Sequence, residues 1–218
     1  LLILWNQGWK LDLNLFLAKA VEAWRELFPA FAVDTAQLTS DLSALLRQRI
    51  TSQLEDDGYA ADLVQAVAGG TVPTKRLLRD PLDVRVRIQL LRGLRDQGRL
   101  TAVQAVVQRA SRLAEKGDLP LDVLSSTEVV DPSRFESASE KGLFDATKRL
   151  NPLAESGAYQ ELCDVLVEST PALEAFFDGD ESVMVMADDS ALRMNRLNLL
   201  GVLRNQAAVF AQFELIQS

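Results

Sequence analysis

A chain of 218 residues, 48% apolar and 25% charged, can bury a core and has the composition of a globular protein. Its net charge of −8 argues at first sight against a polyanionic partner. The complete absence of histidine removes the commonest general base and metal ligand, along with every Ser-His or Cys-His nucleophile pair. "AVAGGTVP" has neither the spacing nor the following Lys-Ser/Thr of a phosphate-binding glycine loop. We therefore expect no catalytic residue and no metal ligand in this chain. No apolar run approaches the roughly 18 residues of a membrane span, and "LLILW" lacks the basic region and cleavage site of a signal peptide. Without an initiator Met, and starting inside an apolar run, the chain reads as part of a longer protein.

Helical periodicity dominates from the start. "LDLNLFLAKAVEAWRELF" places Leu13, Leu17, Ala20, Val21, Trp24 and Phe28 on one face, and Pro29 ends it. Trp5, Trp9 and Trp24 read as core or interface anchors. A second helix is expected over Asp41 to Leu54, with a stop at Gly58. "YAADLVQAV" predicts a short helix, and the turn-rich "AGGTVPTKR" after it marks a boundary between residues 1–72 and 73–218. Asp80 and Pro81 open the next helix as cap and first residue; Arg87 within it is expected to pair with Asp83 one turn earlier. "LTAVQAVVQRASRLAEKG" gives a helix closing at Gly117. The extended "DLPLDVLSSTEVVDP" reads as a long loop, and helices resume in "SRFESASEKGLFDATKRL" and "AYQELCDVLVES". Cys163 lies on the apolar face of the latter, as a buried thiol. With no partner for a disulfide, it fits a reducing cytoplasm. A final helix is expected from Ser190 to Phe213. With no convincing alternating strands, the fold class is all-α.

The charge is unevenly spread. Between Lys75 and Lys116 there are eleven basic residues against four acids, so this window carries +7 and the remainder −15. That asymmetry suits a polyanion. Arg85, Arg92, Arg95 and Arg99, at spacings of 7, 3 and 4, fall within about 80° of one helical face. They form either a phosphate-contacting stripe or a solvated face.

The C-terminal stretch "FFDGDESVMVMADDSALRMNRLNLLGVLRN" resembles the end of the beta subunit of bacterial glycyl-tRNA synthetase, of the type built from two alpha and two beta subunits. The match includes the Asp-Ala-Leu-Arg signature at Asp189, Ala191, Leu192 and Arg193, with Ser190 interposed. "LLRQRITSQLEDDGYAADLVQAV", "DPLDVRVRIQLL", "VVQRASRLAEK" and "VDPSRFESASEKGLFDA" resemble the family's segments in the same order. Two departures stand out. Arg112 replaces a family Asn, and the loop after Phe177 is lengthened by "GDES", which brings Asp180 and Glu181 towards the expected RNA face.

The resemblance implies an all-α helical bundle of the DALR anticodon-binding type over 73–218, with an N-terminal helical extension over 1–72. It implies a non-catalytic role in tRNA binding, with tRNA(Gly) and the alpha subunit as partners and no membrane. No cofactor is expected in this chain; the parent ligase uses ATP and magnesium. A reader of the two cytosines in glycine anticodons needs carboxylates to accept from N4 and donors for N3 and O2. Arg193, Asn195 and Arg196 are candidates for such contacts and Arg85, Arg92, Arg95 and Arg99 for phosphates. Phe177 is placed either to stack on a base or, with Phe176, to anchor the loop. Asp188 or Asp189 either caps the last helix or meets a cytosine. Met184 and Met186 are expected in core or loop packing. Two alternatives remain: the anticodon-binding domain of another synthetase, such as arginyl, and an all-α module that binds only protein.

Overall fold

The computed structural model describes residues 1–31 and 33–217, and among these residues every regular element is helical. Contacts divide the chain into two compact units, one of residues 1–92 with 215–217 and one of residues 93–214. This division falls inside a helix, beyond the glycine-rich link that suggested a boundary after residue 72.

The first unit contains α1 (Leu2–Gln7), α2 (Leu13–Leu27), α3 (Thr35–Asp56), α4 (Ala61–Ala68), α5 (Thr74–Arg79) and most of α6 (Pro81–Asp96). Asp12 and Asp34 start α2 and α3 by accepting from the backbone N–H groups two and three residues on. The Asp34 cap is why α3 begins a full turn and more ahead of the expected Asp41. Leu54, Val64, Leu77, Ile88 and Leu91 are completely buried. The link after α4 is not simply a turn, since it contains the short helix α5. Arg47 on α3 organises it. The Arg47 guanidinium donates to the carbonyls of Ala68 (3.1 Å) and Gly69, to Val72 O (2.6 Å) and to Thr74 Oγ1 (2.7 Å). Carbonyls freed at the end of α4 thus find a donor inside the unit. Trp5 is buried and donates from Nε1 to Pro81 O at 2.9 Å, whereas Trp9 is exposed and Trp24 half-buried against Phe28. The Arg87–Asp83 pair forms at 2.8 Å, with Arg87 buried.

The second unit holds α7 (Leu100–Ala114), α8 (Ala138–Ser156), α9 (Tyr159–Phe177) and α10 (Ser190–Phe210). Here α8 packs on α9, α10 packs on both α7 and α8, and α7 packs on α9. Helix α9 runs through Pro171 to Phe177, beyond "AYQELCDVLVES". Helix α10 stops three residues short of Phe213, which begins a 3₁₀ turn. Cys163 is buried, and that burial together with the nearby Asp164 charge pushes its thiol up to about 12.

The long loop 118–137, regular only in two 3₁₀ turns at Ser126–Glu128 and Pro132–Arg134, is ordered because α10 supplies many of its hydrogen bonds. Asn205 Nδ2 donates to Pro120 O and Val123 O, both at 2.8 Å, and Gln206 Nε2 to Leu124 O at 2.7 Å. Asn198 Nδ2 donates to Val129 O at 2.9 Å, and Arg204 Nη2 to Leu119 O at 3.1 Å. Each bond satisfies a backbone acceptor that a helix would otherwise have paired. The approach is close: a Cβ on Gly201 would lie 2.8 Å from Leu119 Cδ2.

Candidate nucleic-acid interface

Asp189 caps α10, as one of its two expected roles requires. Its Oδ1 accepts from Ala191 N at 2.7 Å and Leu192 N at 3.0 Å. The Leu192 and Ala191 N–H groups, with the nearby Arg134 and Arg193 charges, hold its carboxyl below the usual range. Arg193 is half-buried and turns back on the same corner, donating from Nη1 to Ala187 O at 2.7 Å.

Asn195 and Arg196 face inward. Asn195 closes a two-bond ring on Asp131, accepting from its N–H at 2.7 Å and donating to its carbonyl at 3.1 Å. Arg196 is 4% exposed, and all its donor nitrogens are engaged. Nε meets Glu140 Oε1 at 2.8 Å, Nη2 meets Glu136 Oε2 at 2.9 Å, and Nη1 meets Met184 O at 3.0 Å. Burial works against its charge, but Glu140 and Glu136 outweigh it and hold the guanidinium above its ordinary value. The expectation that Arg196 points outward is corrected: two carboxylates and a carbonyl draw it into the core.

Glu140 joins three segments. Besides Arg196, its Oε2 accepts from Glu136 N at 2.7 Å and Ser137 N at 3.1 Å, completing a capping box at the start of α8. Glu181, from the lengthened loop, adds a second carboxylate there. Its Oε2 accepts from Ala138 N at 3.2 Å and Ser137 Oγ at 3.1 Å, while its carbonyl accepts from Ser139 Oγ at 2.6 Å. The inserted acid therefore neutralises part of a helix N-terminus rather than standing free. Within this loop Val185 takes the inward position, leaving Met184 76% and Met186 44% exposed. Of the two placements expected for these methionines, core or loop, the exposed loop is the one they take.

Phe176 is completely buried, and Phe177 stands edge-on to it at 5.3 Å. The Arg109 guanidinium lies 4.6 Å from the centroid of Phe177 and also binds Asp178. That ring is engaged as the end anchor of α9. Of the arginine stripe, Arg85 and Arg92 belong to the first unit and Arg95 and Arg99 to the second. Arg85 approaches the Trp5 ring and Arg92 the Tyr59 ring, at 5.7 and 5.6 Å. Arg92 and Arg99 are exposed, Arg85 and Arg95 half-buried. Arg99 does not extend the α6 face, because α6 ends at Asp96 and Gly98 turns the chain with φ 68°. It precedes α7 instead and donates to Gln97 Oε1 at 3.2 Å.

The sequence reading passed over Glu136, Glu140, Arg134 and Glu128. For Glu140 a signal existed, since Ser137-Ala-Ser-Glu140 has the spacing of a capping box. For the others only the fold reveals the placement.

The architecture is thus that of an all-α helical protein whose second unit is organised around α10. Its relatives give that architecture a context. The chain is 40% identical, over 98% of its length, to the glycine–tRNA ligase beta subunit of Picosynechococcus sp.. It matches that of Acaryochloris marina at the same identity and share, and that of Aliivibrio salmonicida at 31% over 99%. The chain spans about 30% of the length of the curated relatives it matches. It is related to one segment of glycine–tRNA ligase beta subunits. No protein-family model matches it.

Proposed function

We propose that the chain is a tRNA-binding segment of a glycine–tRNA ligase beta subunit, and that its second unit is a DALR-type reader of the anticodon. In this reading the whole ligase attaches glycine to tRNA(Gly) at the expense of ATP, with magnesium, in the cytoplasm. Catalysis belongs to other parts of that enzyme and to its alpha subunit, and this chain contributes recognition. The observation that carries the reading is the 40% identity, sustained over 98% of the chain, to proteins named glycine–tRNA ligase beta subunit.

The residues sort by role. Arg193, beside Asp189 at the start of α10, is the candidate for a base or phosphate contact, with Arg92 and Arg99 as exposed phosphate contacts and Arg85 and Arg95 as partly buried ones. Arg196 and Asn195 hold the start of α10, where Arg193 lies half-buried against Ala187 O. Phe177, already covered by Arg109, fixes the end of α9. The reading accommodates the negative net charge, because a cytosine reader needs acceptors beside its cations.

A titration of the chain with tRNA(Gly) at two salt concentrations tests this. The reading predicts saturable binding that weakens as salt rises, since each neutralised phosphate releases counterions. Absence of binding at the lower salt contradicts it and favours a module that binds protein alone.

A further inference from the structure

Next to Arg193, the first turns of α10 form one wall of an open cleft of about 430 Å³. The opposite wall is the 128–134 segment that Asn195 and Asn198 fasten down. This volume lies within the roughly 300–1,000 Å³ of ordinary small-ligand sites. The cleft belongs wholly to the second unit and is fixed on both sides, so its shape does not depend on a mobile arm.

Its lining is chemically mixed in a specific way. Glu128 is exposed, and among the described residues no donor engages its carboxylate. Asn198 spends its Nδ2 on Val129 O at 2.9 Å, which leaves its Oδ1 as an acceptor. Arg134 pairs with Asp131 at 3.3 Å while both side chains stay about half exposed, so its guanidinium is accessible. Met194, 41% exposed, adds a polarizable apolar surface of the kind that lies well against a flat ring. A phosphate does not suit this lining, because the charges of Glu128 and Asp131 oppose it. A planar group with an amino donor next to ring acceptors does: the carboxylate takes the amino hydrogens, the guanidinium donates to the acceptors, and the methionine covers a face.

We propose that this cleft receives a single unpaired nucleobase bearing an exocyclic amino group beside a ring acceptor, cytosine in an RNA loop, and that Glu128 is the residue that selects it. The proposal rests on the tRNA-binding reading and deepens it. Arg134 lines the cleft with its guanidinium about half exposed, where a flanking phosphate passes. The selectivity has a direct cause: a carboxylate only accepts, so uracil, which presents a carbonyl where cytosine presents an amino group, meets oxygen against oxygen.

The test uses the full chain and hairpin RNAs carrying the tRNA(Gly) anticodon loop, with cytosine or uracil at the second and third anticodon positions. Wild-type protein should lose roughly tenfold in affinity when uracil replaces cytosine at one of these positions. Glu128→Ala should bind the two RNAs within about twofold of each other. Because Glu128 is exposed and unengaged, this variant should keep the circular-dichroism spectrum of the wild type. Discrimination that persists undiminished in Glu128→Ala overturns the cleft assignment while leaving tRNA binding intact. Failure of the wild-type protein to bind any of the hairpins overturns the assignment and the reading beneath it together.

Discussion

Glu140→Ala probes the buried network at the centre of the second unit. Glu140 is completely buried and accepts from Arg196 Nε and Nη2, Glu136 N and Ser137 N at 2.8, 3.3, 2.7 and 3.1 Å. Removing one member of a buried ion pair costs about 3–5 kcal/mol, because the other charge is left without compensation. Arg196 retains Glu136 at 2.9 Å, an exposed partner, which places the expected cost at the lower end of that range. Divided by a urea slope of roughly 2 kcal/mol/M, about 3 kcal/mol moves the unfolding midpoint down by about 1.5 M. Glu140→Gln keeps an oxygen for the capping box but sets an amide NH2 among guanidinium donors, so it should fall between the two. The tryptophans all lie in the first unit, so emission is the wrong probe. Far-UV circular dichroism should report the shift, with accelerated hydrogen exchange at the Glu136 and Ser137 amides. A midpoint within about 0.3 M of wild type, with those amides still protected, would refute the view that this network fixes the junction of α8, α10 and the loop between α9 and α10.

Three further outcomes follow from single side chains. Asp189 has its carboxyl lowered from 3.8 by the Leu192 and Ala191 N–H groups, so its contribution is complete above that value and is lost as pH falls through the lower folded value. Acid titration of Asp189→Asn should therefore lack that part of the wild type's stability loss. An identical acid limb in both proteins contradicts the cap. Cys163, pushed to about 12, should resist a thiol reagent at neutral pH in the folded protein and react once urea unfolds it; rapid native labelling contradicts the burial. Arg193→Met should weaken tRNA(Gly) binding by about 1–3 kcal/mol if the side chain meets a base edge, and an unchanged affinity removes it from the interface.

Much of the helical framework was legible because local rules and tertiary packing agree there. Asp80 and Pro81 start α6 as read, Asp189 starts α10, and Cys163 and the Arg87–Asp83 pair lie where periodicity put them. The misplacements share one cause, which is that helix-face arithmetic has no knowledge of depth. Arg196 sits within one turn of Arg193 in sequence, yet Glu140, 56 residues earlier, draws it inward. Arg99 continues the spacing of Arg92 and Arg95, but Gly98 takes it off their helix. The 118–137 loop shows the same limit from the other side. Its order comes from Asn198, Asn205 and Gln206, whose amides look in sequence like ordinary polar positions on an amphipathic helix.

Competition between tRNA(Gly) and the same tRNA with both anticodon cytosines replaced by uracil, at fixed salt, tests anticodon reading most directly. The account predicts that the native tRNA displaces a labelled tRNA(Gly) at a concentration at least about tenfold lower than the substituted one. Equal displacement by both would reduce the interaction to phosphate attraction and contradict the claim that this chain reads an anticodon.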